Sequence, residues 1–294
     1  MLPTAILDRS PGHNALRSGF PRVRIGRALV DGCSSMEAVD AIARHAALGG
    51  PPACVVTPNA QHIVLLESDA GLREAYANAD LVVADGVSLL LASLLLGEKL
   101  RGRVAGVDLV EQLCGKAAEF GLRVFLLGGR PGSAELAVEK LKRRLPRLII
   151  AGTCCPPPGF ERDERELQAI GDAIRAARPD LVFVALGVPK QECWMHHHGR
   201  RLGARVLIGV GGSFEMLGGV IQRAPRFMQR IGCEWLYRLL LEPGRLWRRY
   251  LIGNCRFLGI ALRQAAERFK TDPDRSLYTP RDGRPRHAPA MGKE

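Results

Sequence analysis

Short apolar runs alternate with longer amphipathic segments through most of the chain. Six runs of four or five residues have the composition of buried strands; they occupy 53–56, 81–84, 123–127, 148–152, 181–185 and 206–210. Apolar residues at helical spacing predict helices over 34–47, 61–67, 70–78, 87–96, 107–120, 134–145 and 164–177. This alternation predicts an α/β fold, with a mostly parallel sheet covered by helices on both faces.

Both ends of the chain depart from this alternation. Residues 1–20 lack periodicity and predict a disordered arm, after which residues 21–222 form the α/β core. The first predicted element of that core is a single strand over 23–30. Strands stop at Arg223, so residues 223–270 predict a helical appendage, and the polar residues 271–294 predict a disordered tail.

The positive charge of the chain is concentrated in the predicted appendage. Residues 223–270 hold 11 Lys and Arg against 3 Asp and Glu, so +8 of the net charge of +12 lies there. Such an asymmetry indicates an acidic partner, which can be nucleic acid, anionic lipid or a phosphorylated substrate. The appendage is therefore the part of the chain expected to meet that partner.

The expected cellular location depends on membrane spans, a secretion signal and the use of cysteine. No apolar stretch reaches the ~20 residues of a membrane span. Asp8, Arg9 and Pro11 interrupt the apolar segment that a secretion signal requires. The eight cysteines include no C-x-x-C pair, which favours reduced thiols over disulfides or a zinc site. We therefore expect a cytoplasmic protein.

Polar or glycine-rich clusters follow five of the predicted strands directly. The carboxyl ends of parallel strands share one edge of a sheet, and ligands normally bind there. One such cluster is typical of a turn, whereas five on one edge predict a binding cleft. The clusters are Thr57-Pro58-Asn59, Asp85-Gly86, Gly128-Gly129, 187–192 and Gly211-Gly212-Ser213.

Several of these residues have two interpretations from pattern alone. The loop that contains Gly128 and Gly129 suits a phosphate, but it lacks a full dinucleotide or P-loop signature and equally suits a strand–helix turn. Asp85 is a candidate general base or the cap of the helix over 87–96. The three histidines at 196–198 do not share one helix face, which favours a solvated surface over a metal site.

The aromatic and arginine residues of the appendage also have two interpretations. Trp235, Tyr237, Trp247 and Tyr250 lie among arginines over 233–257. They are compatible with an amphipathic helical pair packed on the core. They are equally compatible with a membrane-surface element whose arginines meet lipid headgroups or a substrate diphosphate.

Seven ordered segments resemble the WecG/TagA/CpsF glycosyltransferases (glycosyltransferase family 26) over about residues 22–257. The segments are T-P-N-A-Q-H at 57–62, A-D-G at 84–86, R-V-A-G-V-D-L at 103–109, L-L-G-G-R-P-G at 126–132, L-G-V-P-K-Q-E at 186–192, R-A-P at 223–225, and E-W-L-Y-R-L at 234–239 with E-P-G-R-L-W-R-R-Y at 242–250. The chain departs from the family pattern G-G-x-F-D-x-x-A-G at Glu215 and Gly218.

The resemblance implies an activity and a set of site residues. It implies inverting transfer, with no metal or other cofactor, from a UDP-sugar to a prenyl-diphosphate-linked saccharide in bacterial exopolysaccharide, capsule or cell-wall polymer synthesis. It also implies a Rossmann-like core and an appendage that closes the site and touches an anionic membrane surface, at the inner face of the plasma membrane. Asp85 is then the catalytic base. The candidate substrate contacts are Thr57, Asn59, Arg103, Gly128, Gly129, Gln191, Arg223, Arg238 and Arg245.

Two other classes of protein compete with this interpretation. A nucleotide- or RNA-binding regulatory protein would use the glycine-rich loop and the basic appendage. The appendage lacks the aromatic–basic alternation of a single-strand platform, so we expect no nucleic-acid partner. A nicotinamide-dependent oxidoreductase would need Gly-x-Gly-x-x-Gly in its first strand–helix unit, and this chain lacks it there. An oligomer is compatible with the sequence.

Overall fold

A computed structural model describes residues 16, 19–230 and 232–271, without the side chains at 230, 245, 249, 269 and 271. The arm expected over 1–20 and the tail expected over 271–294 therefore lie almost wholly outside the described residues. Leu16 is described, and its side chain is buried in the core.

The chain enters the core through a β-hairpin, and the prediction of one strand over 23–30 was wrong. β1 (Arg22–Ile25) pairs antiparallel with β2 (Ala28–Asp31). Gly26 turns the chain with a positive φ of 56°, which glycine adopts without steric penalty. The buried apolar side chains are Val23 and Ile25 on β1 and Ala28 and Val30 on β2, so the buried positions change from odd to even numbers across the turn.

Six parallel strands form the main sheet, which confirms the predicted fold class. The strands are β3 (Ala53–Val56), β4 (Leu81–Val82), β5 (Arg123–Gly128), β6 (Ile149–Cys154), β7 (Leu181–Ala185) and β8 (Val206–Gly209). In space their order is β4-β3-β8-β7-β5-β6. The last strand, β8, lies between β3 and β7, so the loops after β3, β8 and β7 become neighbours.

Helices cover both faces of this sheet. Strand residues alternate between two apolar clusters, so Val55 and Phe183 pack on one face and Val56 and Val184 on the other. The helices are α1 (Ser35–Ala47), α2 (Ala60–Ser68), α3 (Ala70–Asn78), α4 (Val87–Leu95), α5 (Gly106–Phe120), α6 (Ser133–Arg144), α7 (Glu164–Ala177), α8 (Lys190–His198), α9 (Ser213–Gly218), α10 (Arg226–Arg230), α11 (Glu234–Leu241), α12 (Pro243–Trp247) and α13 (Gly253–Thr271), with a π-helix at Arg248–Ile252 between the last two.

The last helix, α13, returns to the core and packs on it. Phe257, Ala261 and Ala265 are buried in the same cluster as the residues of α2. Gln264 clamps the hairpin, because it accepts from the Gly26 N–H and donates to the Arg24 carbonyl, both at 2.8 Å. By contrast, every residue of α11, all of which are described, is at least partly exposed. In the described part of the chain, no helix is both long and apolar enough to cross a membrane.

Candidate active site

A cavity of about 670 Å³ opens at the carboxyl edge of the sheet. Residues from all five polar clusters line it, so the clusters form one cleft as the sequence predicted. The C-terminal helices cover its far side through Trp235, Tyr250 and Phe257. The candidate site residues that line it are Thr57, Asn59, Asp85, Arg103, Gly129, Gln191, Arg223 and Arg238.

Of the other two candidate residues, Gly128 is not among the described residues that line the cavity, and the structure does not describe the side chain of Arg245. Gly128 ends β5 and pairs with Ala185 of β7. A Cβ at Gly128 would lie 2.6 Å from the Ala185 carbonyl oxygen, so glycine is needed there for strand contact. The backbone of Arg245 belongs to α12, whereas its side chain lies outside what the structure describes.

Asp85 sits in the loop between β4 and α4, on the wall of the cavity. Its backbone N–H donates to the Pro58 carbonyl at 2.8 Å, which ties this loop to the loop after β3. The helix α4 is capped by Gly86, and no side chain makes a capping hydrogen bond there. The interpretation of Asp85 as a helix cap is therefore wrong, and its carboxylate is left for another role.

The surroundings of Asp85 make its carboxyl group a weaker acid than usual. The pKa of Asp85 is raised from 3.8 to about 6, mainly by burial and in smaller part by the nearby Glu234 carboxylate. The positive charge of Arg103 and a hydrogen bond from the Gly106 backbone N–H act in the opposite direction. A carboxylate whose pKa lies near neutrality is suited to general-base catalysis at physiological pH.

The pKa of Asp85 predicts the acid limb of the activity profile. A role of Asp85 as general base requires its ionised form, so this role predicts that kcat/KM falls about tenfold per pH unit below pH 6. Because Arg103 lowers the pKa of Asp85, Arg103→Gln should move this limb to higher pH. Initial rates between pH 4.5 and 8.5 on both proteins check this. An acid limb near pH 4 in the wild type would contradict the assignment.

Two arginines of the site are held by acidic partners. Arg223 binds Asp108 through both guanidinium nitrogens, at 2.7 and 2.9 Å, and lies 3.3 Å from Glu234 Oε1. Arg103 donates to Glu234 Oε2 at 2.6 Å. Glu234 begins α11, so this ion-pair cluster joins the appendage to the core beside Asp85. No sequence pattern identified Asp108 or Glu234 as ion-pair partners of the arginines, although both lie in segments that resemble the family.

Arg238 differs from these arginines because its Nε is buried and has no hydrogen-bond partner among the described residues. It lies near the loop after β8, since a Cβ at Gly212 would be 3.3 Å from Arg238 Nη2. Arg238 also lines the cavity, so its guanidinium group can meet an anionic ligand there. Arg238 is therefore the arginine of this site best placed for a phosphate.

The two departures from the family pattern have clear positions. Glu215 is buried, and its Oε1 accepts from the Arg130 backbone N–H at 3.0 Å. One backbone amide of the glycine-rich loop therefore already has a hydrogen-bond acceptor. Glu215 Oε2 is buried without a hydrogen-bond partner in the described part of the chain. Gly218 packs on α6, where a Cβ would lie 3.0 Å from Leu136 Cβ. Gly218 thus permits close contact between α9 and α6.

Among the described residues, no group of three or more His, Cys, Asp or Glu side chains is placed to bind a metal ion. The three consecutive histidines point in different directions on α8. His196 lies 3.4 Å from Glu74 Oε1, whereas His198 stacks near Trp194.

The fold and the site define the class, an α/β protein with a cavity at the carboxyl edge of a parallel sheet, lined by a half-buried carboxylate and several arginines. The chain belongs to the glycosyl transferase WecG/TagA/CpsF family, whose sequence model matches residues 23–271.

Two relatives share one name, N-acetylglucosaminyldiphosphoundecaprenol N-acetyl-beta-D-mannosaminyltransferase. The protein of Bacillus spizizenii is 40% identical over 175 residues, which are 60% of this chain and 65% of that protein. The protein of Bacillus subtilis is 33% identical over 199 residues, which are 68% of this chain and 75% of that protein. The first of these matches thus spans slightly less than two thirds of the relative.

Proposed function

We propose that this protein is an inverting glycosyltransferase that moves a sugar from a UDP-sugar to a prenyl-diphosphate-linked saccharide in bacterial surface-polymer synthesis. The observation that carries the proposal is the carboxylate of Asp85, whose pKa is raised to about 6 at the wall of a cavity that arginines also line. The names of the two relatives, with a diphosphoundecaprenol acceptor and an N-acetylmannosaminyl group, support the substrate classes.

The proposed reaction is a single displacement. The Asp85 carboxylate takes the proton of the acceptor hydroxyl as its oxygen bonds to the anomeric carbon of the donor sugar. The bond from that carbon to the UDP oxygen breaks on the opposite face, so the configuration inverts and UDP leaves as an anion. Backbone amides of the glycine-rich loops stabilise the charge that develops on the departing diphosphate.

The cavity offers different surroundings for the two substrates. Gly129, Gly212 and Glu215 line the side formed by the loops after β5 and β8. We place the donor nucleotide there, where glycine backbones allow close approach. The acceptor diphosphate takes the side near α11, where Arg238 supplies positive charge. Thr57 contributes indirectly, because its hydroxyl donates to the Gly209 carbonyl at 2.7 Å and so joins β3 to β8.

An apolar surface beside the cavity supports a membrane-bound acceptor. Leu240 is 70% exposed on α11, and Leu91 is 61% exposed on α4, although Leu91 also lines the cavity. The surface thus runs from the cleft onto both the core and the appendage, which suits peripheral attachment to an anionic bilayer. Its exposed members are Leu91, Leu94, Leu95, Trp235, Leu236, Leu240, Leu241, Trp247, Leu251, Ile252, Leu258 and Leu262.

The contribution of α4 to membrane attachment is testable with serine variants. Leu91→Ser combined with Leu94→Ser should weaken binding to anionic liposomes at least ~10-fold, since burying one leucine contributes ~1.5–3 kcal/mol. Co-sedimentation at two salt concentrations measures this, and salt should weaken attachment further. Leu48→Ser is the matched control, because Leu48 is 80% exposed on the core outside this surface. Equal binding by the double variant and the control would contradict the membrane role of α4.

A donor screen tests the proposed activity directly. The full chain is incubated with a lipid-diphosphate-linked saccharide and a panel of UDP-sugars, and UDP release and the extended lipid product are measured with and without excess EDTA. We expect one UDP-sugar to give both products, with EDTA having no effect. No transfer from any UDP-sugar would reject the proposal, and complete loss with EDTA, restored by manganese or magnesium, would reject the metal-independent mechanism.

A further inference from the structure

A chain of hydrogen bonds runs along one wall of the cavity, between the loops that follow β3 and β8. The Asn59 Oδ1 and backbone nitrogen lie 3.0 and 3.2 Å from His62 Nδ1. His62 Nε2 lies 3.2 Å from Glu192 Oε1, which also accepts from Gln191 Nε2 at 2.7 Å. The chain ends where the Gly211 N–H donates to Gln191 Oε1 at 3.1 Å.

Glu192 is the central member of this chain and has no access to solvent. Its side chain is 0% exposed and that of His62 is 5% exposed. Both donors meet Oε1, whereas Glu192 Oε2 is buried without a hydrogen-bond partner among the described residues. A buried carboxylate that is only half satisfied contributes little to stability or opposes it. Its presence beside the cavity therefore indicates a functional requirement.

The donor and acceptor roles along the chain follow from the chemistry of each group. A carboxylate accepts only, so His62 must carry a proton on Nε2, which fixes the orientation of its ring. His62 Nδ1 then accepts from the Asn59 backbone N–H, while the Asn59 Oδ1 accepts from the Gln61 N–H at 3.0 Å. On the other side, Glu192 orients the Gln191 amide, so that its oxygen accepts from the Gly211 N–H. One buried carboxylate thus orients the Gln191 side chain directly and the backbone of Asn59 through His62, and both residues line the cavity.

We propose that Glu192 and His62 are positioning residues, which hold Asn59 and Gln191 in the geometry that the bound substrates require. This inference rests on the proposed transferase activity. The loop that His62 holds also supplies Pro58, whose carbonyl accepts from the backbone N–H of Asp85. The same chain of hydrogen bonds therefore positions the loop that contains Asp85, although neither Glu192 nor His62 touches the reacting atoms.

The test compares Glu192→Gln with the wild type in the full-length protein. Glutamine preserves the shape of the side chain but removes its charge and one acceptor. Because small displacements of reacting groups are costly, kcat should fall ~10- to 100-fold. The affinity for UDP should change less than ~3-fold, since the cavity itself remains. Hydrogen–deuterium exchange should rise in the segments 57–62 and 209–213 and stay unchanged elsewhere.

The protein offers a matched control in Asp80→Asn. Asp80 is also a buried carboxylate, and its Oδ2 accepts from the Cys54 N–H at 2.9 Å, at the opposite edge of the sheet. This variant should lower Tm without altering kcat or exchange in the two loop segments. The variant His62→Gln, alone and combined with Glu192→Gln, tests the connection. If the two residues act through one chain, the double variant should turn over within ~3-fold of the slower single variant.

Three results would overturn the inference. Wild-type rates of hydrogen–deuterium exchange in both loop segments of Glu192→Gln would show that the Glu192 carboxylate orders neither loop. A uniform rise in exchange with an unchanged kcat per folded molecule would show a purely structural role. Fully multiplicative effects of the two substitutions would show that they act separately. The exchange measurement needs no turnover, so an inactive wild type would reject the proposed function and still leave the positioning chain open to rejection on its own.

Discussion

Replacement of Asp85 by asparagine is expected to lower kcat by at least ~100-fold while the fold and UDP binding are retained. Asparagine has the shape of the aspartate side chain but cannot accept the proton of the acceptor hydroxyl. Initial rates with saturating donor, together with calorimetric titration of UDP, measure the two effects separately. A variant that turns over at the wild-type rate would place the base elsewhere, and a variant that unfolds would make Asp85 structural.

The same substitution should change stability in a pH-dependent way. Because the folded-state pKa of Asp85 is about 6 and its ordinary value is 3.8, the folded protein binds more protons than the unfolded chain between these values. Protonated Asp85 therefore contributes to stability, and this contribution is lost as the pH rises through 6. Above that pH the ionised carboxylate opposes folding. Asp85→Asn should therefore be more stable than the wild type at pH 8, by at most about 3 kcal/mol, and equally stable below pH 4.

A matched variant distinguishes loss of the base from loss of any carboxylate. Asp69 caps α3 by accepting from the Leu72 N–H at 2.9 Å, and asparagine caps a helix equally well. Asp69→Asn should therefore keep both the wild-type rate and the wild-type dependence of Tm on pH. Thermal unfolding of all three proteins between pH 3.5 and 8 provides the comparison. A stability gain for Asp69→Asn as large as that for Asp85→Asn would remove the functional explanation.

Arg238→Ala is expected to lower kcat/KM for the lipid-diphosphate acceptor by ~100-fold. Removing a buried charged donor from an anionic ligand typically costs ~2–5 kcal/mol, and Arg238 Nε has no hydrogen-bond partner among the described residues that would compete for it. Arg238→Lys should recover only part of this loss, because lysine lacks the planar fork that binds two phosphate oxygens. Steady-state kinetics with varied acceptor at saturating donor measure both variants.

Exposed arginines elsewhere provide the control for this prediction. Arg143 is 73% exposed on α6 and pairs only along its own helix with Glu139, so Arg143→Ala should keep the wild-type kcat/KM. UDP affinity separates two possible sites of action for Arg238. Loss of acceptor turnover with normal UDP binding places Arg238 at the acceptor diphosphate, whereas a parallel loss of both places it at the donor. Wild-type kcat/KM in Arg238→Ala would show that no phosphate contacts this residue.

The sequence was sufficient to predict the sheet and the edge where the site lies. Apolar runs of strand length, each followed by polar residues, specify buried parallel strands whose carboxyl ends share one edge. Residues as far apart as Thr57 and Ser213 could therefore be assigned to one cleft. The hairpin was missed because residues 23–30 were interpreted as one alternating strand, although the buried apolar positions shift from odd numbers to even numbers at the turn at Gly26.

Local pattern determined which segments of this protein are strands and helices, because backbone periodicity decides which side chains a segment can bury. Partners across the sheet were decided only by the tertiary structure. The placement of β8 between β3 and β7 brings His62 to Glu192, 130 residues away, and the return of α11 brings Glu234 to Arg103, 131 residues away. Whether a carboxylate is a cap, a base or a positioning group depends on such neighbours, since burial and nearby charge set its protonation and its hydrogen bonds.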